Sequence, residues 1–74
     1  MRKTLYDLKI NETGVVKEIA AQENMRIRLQ ELGVVRGTGI ECYNRSPLGD
    51  PTAYIIRGAV IALRKEDAAC VMLN

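Results

Sequence analysis

Seventy-four residues suffice for one domain and not for a catalytic domain joined to a recognition domain. A chain this short buries only about 60% of its unfolded surface, which disfavours a deep, water-excluding active site. With 47% hydrophobic and 27% charged residues the composition is that of a globular domain, and eleven basic against nine acidic residues leave a net charge of +2, too small a field to steer the chain to nucleic acid or an acidic membrane. Residues 1–74 are therefore expected to form a single domain. Arg2 and Lys3 precede Thr4-Leu5-Tyr6-Asp7-Leu8-Lys9, where Asp7 and Lys9 interrupt the apolar run a signal peptide needs. No segment approaches the about 18 consecutive apolar residues of a membrane span. The expected location is the cytoplasm, without direct membrane insertion.

In chain order, Thr4 to Leu8 predicts a turn or one helical turn, with Leu5 and Leu8 spaced to pin the N-terminus onto a core. Asn11-Glu12-Thr13-Gly14 is a turn signal. Val15 to Ala20 predicts the first strand, and its imperfect alternation predicts a bulge or strong twist. Asn24 is placed as an N-cap for a helix over Met25 to Leu32, with Gly33 in the position a C-cap prefers. Met25, Leu29 and Leu32 form its apolar stripe, assigned to the core. Gly37 and Gly39 complete neither a P-loop nor a dinucleotide fingerprint and are read as a turn into the second strand.

Thr38 to Asn44 and Thr52 to Arg57 predict two strands of a hairpin. The loop between them, Arg45-Ser46-Pro47-Leu48-Gly49-Asp50-Pro51, is stiffened by two prolines, with Gly49 free to take positive φ. Leu48 then sits at the tip of a stiff loop, either as a docking anchor that loses little entropy on binding or as part of a turn that only fixes register. Asp50 is expected to close the turn through its side chain. Arg57-Gly58 predicts a tight turn. The nearly continuous apolar run Ala59 to Leu63 predicts a fourth strand in a central position. Arg64 to Ala69 reads as a charged turn or helical turn, and Cys70 to Leu73 as a last strand. About five strands, with one short helix between the first two, describe a mainly β, SH3-like barrel.

Cys42 and Cys70 have no close spacing and are expected to be reduced and buried. Histidine is absent, neither cysteine has an evident activating partner, and no nucleophile elbow or paired-carboxylate spacing occurs, so no enzyme and no catalytic residue is predicted. Glu41, Asp50, Glu66 and Asp67 are the carboxylates available to a metal, but solvated surface charges are the simpler reading. No resident iron and no cofactor is expected.

Three blocks, Arg28-Leu29-Gln30-Glu31-Leu32-Gly33, Ser46-Pro47-Leu48-Gly49-Asp50-Pro51 and Arg57-Gly58 through Ala62-Leu63-Arg64-Lys65, occur in order with Leu5, Leu8, Gly14-Val15-Val16, Gly37-Thr38 and Ala68 around them. With them the chain resembles, nearly end to end, the bacterial ferrous iron transport protein A family, FeoA. The resemblance implies an SH3-like fold and a cytoplasmic accessory role beside FeoB, the large ferrous iron permease with a cytosolic G-protein domain. A similar domain closes some metal-dependent repressors of the diphtheria-toxin-repressor type, and the lack of a DNA-binding domain ahead of it here favours the free-standing accessory. The candidate partner-binding residues are Pro47, Leu48, Gly49, Asp50, Arg57 and Arg28; the two arginines read equally as contact groups or as ordinary surface side chains. A weak homo-oligomer through an open sheet edge remains an alternative. So does a nucleic-acid or peptide-binding module unrelated to transport, for which Tyr6, Tyr43 and Tyr54 are the available stacking groups.

Overall fold

The computed structural model describes residues 3–74; Met1 and Arg2, where the segment weighed as a signal peptide begins, lie outside the described residues. In chain order come β1 (Lys3–Thr4), a 3₁₀ turn (Leu5–Asp7), β2 (Thr13–Ile19), α1 (Glu23–Glu31), β3 (Gly39–Arg45), β4 (Thr52–Ile56), β5 (Ala59–Leu63), α2 (Lys65–Ala68) and β6 (Val71–Leu73). The strands form one antiparallel sheet in the order β1-β6-β2-β3-β4-β5. The described strands number six rather than about five, because the two-residue β1 is too short to carry a periodic signal and is defined only by pairing Lys3 with Leu73 and Thr4 with Met72.

β2 makes the sheet curl. Its first residues, Thr13 to Val15, pair with β3, whereas Val16 onward pairs with β6, and the expected bulge falls between Val16 and Glu18. A bulge adds a residue to one strand and increases its local twist, which lets one strand serve both halves of a barrel. Gly14 lies at this crossing: a Cβ there would meet Leu73 Cδ1 at 2.7 Å, so glycine is what allows Leu73 to pack inward. A second bulge, between Cys42 and Asn44 of β3, leaves Tyr43 half exposed.

The inner face of the β3–β5 meander carries Ile40, Cys42, Tyr54, Ile56 and Leu63, and β4 alternates buried and half-buried residues along its whole length, as a strand with one face on a core must. Leu5 and Leu8 are buried against this face, as their spacing predicts. The 3₁₀ turn between them is closed by Asp7, whose Oδ2 accepts from the Thr4 amide at 2.8 Å and the Thr4 hydroxyl at 3.1 Å.

Three local expectations are corrected. Asn24 does not cap α1: the helix starts two residues earlier, at Glu23, with Gln22 at the cap, in extended geometry and without a side-chain bond. Leu32 is not core but 38% exposed. Gly33, at φ +99°, turns the chain there, and the Val34 amide bonds back to the Leu29 carbonyl at 3.0 Å, so the buried Val34 takes the inward place. β5 is not central but the edge of the sheet, with Val60 59% exposed. Its chain neighbours explain this: β5 ends the β3–β4–β5 meander, and α2 then carries the chain across to insert β6 between β1 and β2.

Arg57-Gly58 forms the expected tight turn, with φ of +51° and +83°. Both cysteines are free; Cys42 is buried, while Cys70 is only partly so.

Candidate functional site

The β3–β4 loop is fixed from within and from two other parts of the chain. Within it, the Gly49 amide donates to the Ser46 carbonyl at 2.8 Å and the Ser46 amide to the Pro51 carbonyl at 3.2 Å. Gly49 takes φ +82°, a conformation that glycine adopts without a Cβ penalty. From the N-terminal segment, the Tyr6 hydroxyl donates to the Gly49 carbonyl at 3.4 Å. At the base of the loop, the Arg45 guanidinium donates to the Tyr6 and Leu8 carbonyls at 3.1 and 2.9 Å and lies 4.8 Å from the centroid of the Tyr6 ring. Lys65 approaches the same ring at 5.5 Å. Such cation–π contacts hold the ring and both cations together.

Asp50 corrects a sequence expectation. Its carboxylate does not close its own turn; Oδ1 accepts the Lys65 amide of α2 at 2.9 Å. This amide is one of the orphan donors at a helix start, and a carboxylate there is also favoured by the helix dipole. The consequence of all these ties is a tip that points into solvent on a supported base: Leu48 is 94% exposed.

The six residues singled out in the sequence do not form one patch. Pro47, Leu48, Gly49 and Asp50 are together at the tip. Arg57 is in the turn at the opposite end of β4, a strand of about 17 Å, with its stem against Gly33. Arg28 lies on α1, where Nη2 pairs with Asp67 Oδ2 of α2 at 3.2 Å. Tyr6, Arg45 and Lys65, which build the clamp, were not singled out as site residues. Their contacts span separations that local pattern does not reveal, such as the 43 positions between Tyr6 and Gly49 and the still longer one between Tyr6 and Lys65.

The open surface offers shallow grooves, among them one of about 510 Å³ beside Met25, Arg28 and Cys70. Among the described residues no group of three or more His, Cys, Asp or Glu is placed to hold a metal ion. Of the carboxylates considered for that role, Asp50 and Asp67 are engaged with Lys65 and Arg28. The tyrosines do not assemble a stacking platform: Tyr54 is buried, Tyr6 is held in the clamp, and Tyr43 is half exposed on its bulge. No described helix is long and apolar enough to cross a membrane.

An antiparallel sheet of six strands, curled through a bulged second strand, with a clamped hairpin tip, defines a small SH3-like barrel domain. The model of the FeoA domain matches residues 3–74, and the chain belongs to the FeoA family. It is 34% identical, over 65 residues, to the Fe(2+) transport protein A/Fe(2+) transporter FeoB fusion protein of Porphyromonas gingivalis. The match takes 88% of this chain and 8% of that relative, so the chain spans less than a tenth of the fusion protein's length. A FeoA-like protein from Clostridium acetobutylicum superposes with a TM-score of 0.90 at 30% identity, covering 99% of this chain and 85% of that one. The FeoA of Stenotrophomonas maltophilia, solved in complex with zinc and described as an SH3 domain protein, gives a TM-score of 0.85 at 28% identity, covering 97% and 89%. FeoA is a small accessory domain of ferrous iron transport and not a known enzyme family.

Proposed function

We propose that residues 1–74 act as one cytoplasmic accessory module of ferrous iron uptake that docks on the cytosolic part of a FeoB-type permease and biases its nucleotide cycle or gate. The observation that carries this reading is the relative from Porphyromonas gingivalis, in which an Fe(2+) transport protein A and the transporter FeoB are one chain. Covalent fusion raises the effective concentration of two parts that act on one another. The chain's own contribution is the clamped hairpin tip: Leu48 is an apolar side chain held out at 94% exposure, and a tip tied by Tyr6, Arg45 and Asp50 gives up little conformational entropy when a pocket closes on it. A modulator of this kind needs no active site, because it shifts its target by binding one state more tightly than the other.

The test is co-purification of the chain with full-length FeoB from the same cell, in the absence of nucleotide and with guanine nucleotides. Wild type is expected to be retained, and Leu48→Asp to lose at least about tenfold in affinity. Retention of Leu48→Asp at wild-type level moves the contact away from the hairpin, and no retention of wild type in any nucleotide state removes the partner.

A further inference from the structure

The barrel is open along β5. Ile56 and Ala59 flank the two-residue Arg57-Gly58 turn and are therefore a hydrogen-bonded pair. By alternation the next such pairs are Tyr54 with Ile61 and Thr52 with Leu63. Val60 and Ala62 consequently turn their N–H and C=O groups away from β4. Among the described residues no other strand pairs with β5, and no turn or loop backbone bonds to these groups. Natural edge strands are usually blunted by a lysine, a proline or a bulge. Ala59-Val60-Ile61-Ala62-Leu63 has none of these, and Val60 is 59% exposed.

Two further observations say what would lie there. A groove of about 420 Å³ runs between this edge and α1, with Ala62 and Leu63 on one wall and Leu32 and Arg28 on the other. The edge is also bracketed by cations. Arg57 precedes β5 and Arg64 follows it; both are exposed, and neither is in an ion pair among the described residues. The carboxylate of Asp67 is already matched by Arg28, which leaves Glu66 as the exposed acid at that end of the groove. Arg57 moreover holds φ +51°, a left-handed conformation that Asn or Gly adopts at lower cost. The stem of this arginine lies against Gly33, next in the chain to the Leu32 that lines the groove.

We propose that the β5 edge is a strand-addition site for an extended segment of a partner protein. The segment carries small or β-branched residues along about five positions and acidic residues at both ends. Its backbone pairs with the outward groups of Val60 and Ala62, alternate side chains cover Val60 and enter the groove beside Leu32, and its terminal carboxylates meet Arg57 and Arg64. A second copy of this chain is the poorer occupant. Full-length antiparallel pairing of β5 with itself brings Arg57 of each copy opposite Lys65 of the other, and like charges directly opposed across strands destabilise the pair. The proposal does not rest on the hairpin-tip reading, since Leu48 takes no part in it.

The probe is the blocked peptide Glu-Glu-Thr-Val-Thr-Val-Thr-Asp-Asp, titrated at low salt into the isotope-labelled full chain and followed by NMR, with a control in which every acid is replaced by lysine. The acidic peptide is expected to bind more tightly than about 1 mM, to shift the amides of Val60 and Ala62, and to slow their hydrogen exchange. Val60→Pro removes an outward donor at a position where an edge strand tolerates proline, and is expected to weaken binding at least about tenfold. The doubly charge-reversed chain, Arg57→Glu with Arg64→Glu, keeps every backbone donor and is expected to prefer the lysine peptide, which keeps the proposal testable if the proline variant does not fold. Equal binding of both peptides to wild type, binding of neither, undiminished binding by a folded Val60→Pro, or dimerisation of the free chain through Val60 and Ala62 each overturns it.

Discussion

Asp50 sits in a Gly-Asp-Pro sequence that reads as a turn, yet its carboxylate serves the Lys65 amide fifteen positions on. It thereby does for α2 what the N-cap residue Arg64 does not, since Arg64 makes no side-chain cap bond. Loss of an N-cap carboxylate generally costs about 1 kcal/mol, and the same change frees one side of the hairpin tip. Asp50→Ala is therefore expected to lower the unfolding free energy by about 1 kcal/mol, whereas Leu48→Ala, with a side chain almost wholly in water, is expected to stay within about 0.5 kcal/mol of wild type. Urea denaturation of the three proteins separates the two cases. Equal stability of Asp50→Ala and Leu48→Ala would mean that the 2.9 Å contact contributes nothing in solution, and the loop would have to be held by Tyr6 and Arg45 alone.

At the scale of elements, α1 shows what pattern can and cannot tell. The periodicity of Met25, Leu29 and Leu32 locates a helix, and Gly33 marks its end, because both signals are local. Which stripe residue carries the packing is not local. Leu29 is fully buried, Met25 only packs against the core from its margin, and Leu32 is 38% exposed because the turn at Gly33 puts Val34 inside instead. Leu29→Ala is accordingly expected to cost about 2–5 kcal/mol and Leu32→Ala less than about 1 kcal/mol, although the two leucines are equivalent in the sequence pattern. Comparable thermal unfolding of the two variants would refute that assignment. The same distinction separates the two hairpins from the sheet order. The β3–β4 and β4–β5 connections are legible from Pro47, Gly49, Pro51 and Gly58, whereas the run Ala59 to Leu63 looks central and stands at the edge. Apolar content measures how well a strand might be buried, and only the later insertion of β6 beside β2 decides that β5 is not. The candidate site divides likewise: the tip with Leu48 is legible because its turn residues are contiguous, while the clamp of Tyr6, Arg45 and Lys65 depends on closure of the whole chain.

At the scale of the whole molecule, that closure includes, among the described residues, one buried side-chain hydrogen bond between the N-terminal segment and the middle of the sheet. The Tyr54 side chain is fully buried on the inner face of β4, and its hydroxyl donates to the Leu5 carbonyl at 3.3 Å. Burial disfavours the phenolate, with a smaller contribution from the neighbouring Cys42, and pushes the Tyr54 pKa from its ordinary 10 up to about 12. Below pH 10 the hydroxyl is protonated in both folded and unfolded chains, and its contribution to stability is fully present. Between pH 10 and about 12 the unfolded chain releases this proton while the folded one retains it, so stability falls as pH rises through that window. Tyr54→Phe loses the bond to Leu5 and starts about 1 kcal/mol lower, but it has no proton to release, and its stability is expected to fall less steeply over the same window. Groups that titrate elsewhere in the chain affect both proteins alike, so the difference between their denaturation free energies against pH isolates Tyr54. A gap that narrows with alkalinity supports Tyr54 as the latch between the N-terminal segment and the barrel. Parallel curves would assign the alkaline loss to other groups and leave the Leu5 end of the chain held by apolar packing, the β1–β6 pairing and the Arg45 bonds to the Tyr6 and Leu8 carbonyls.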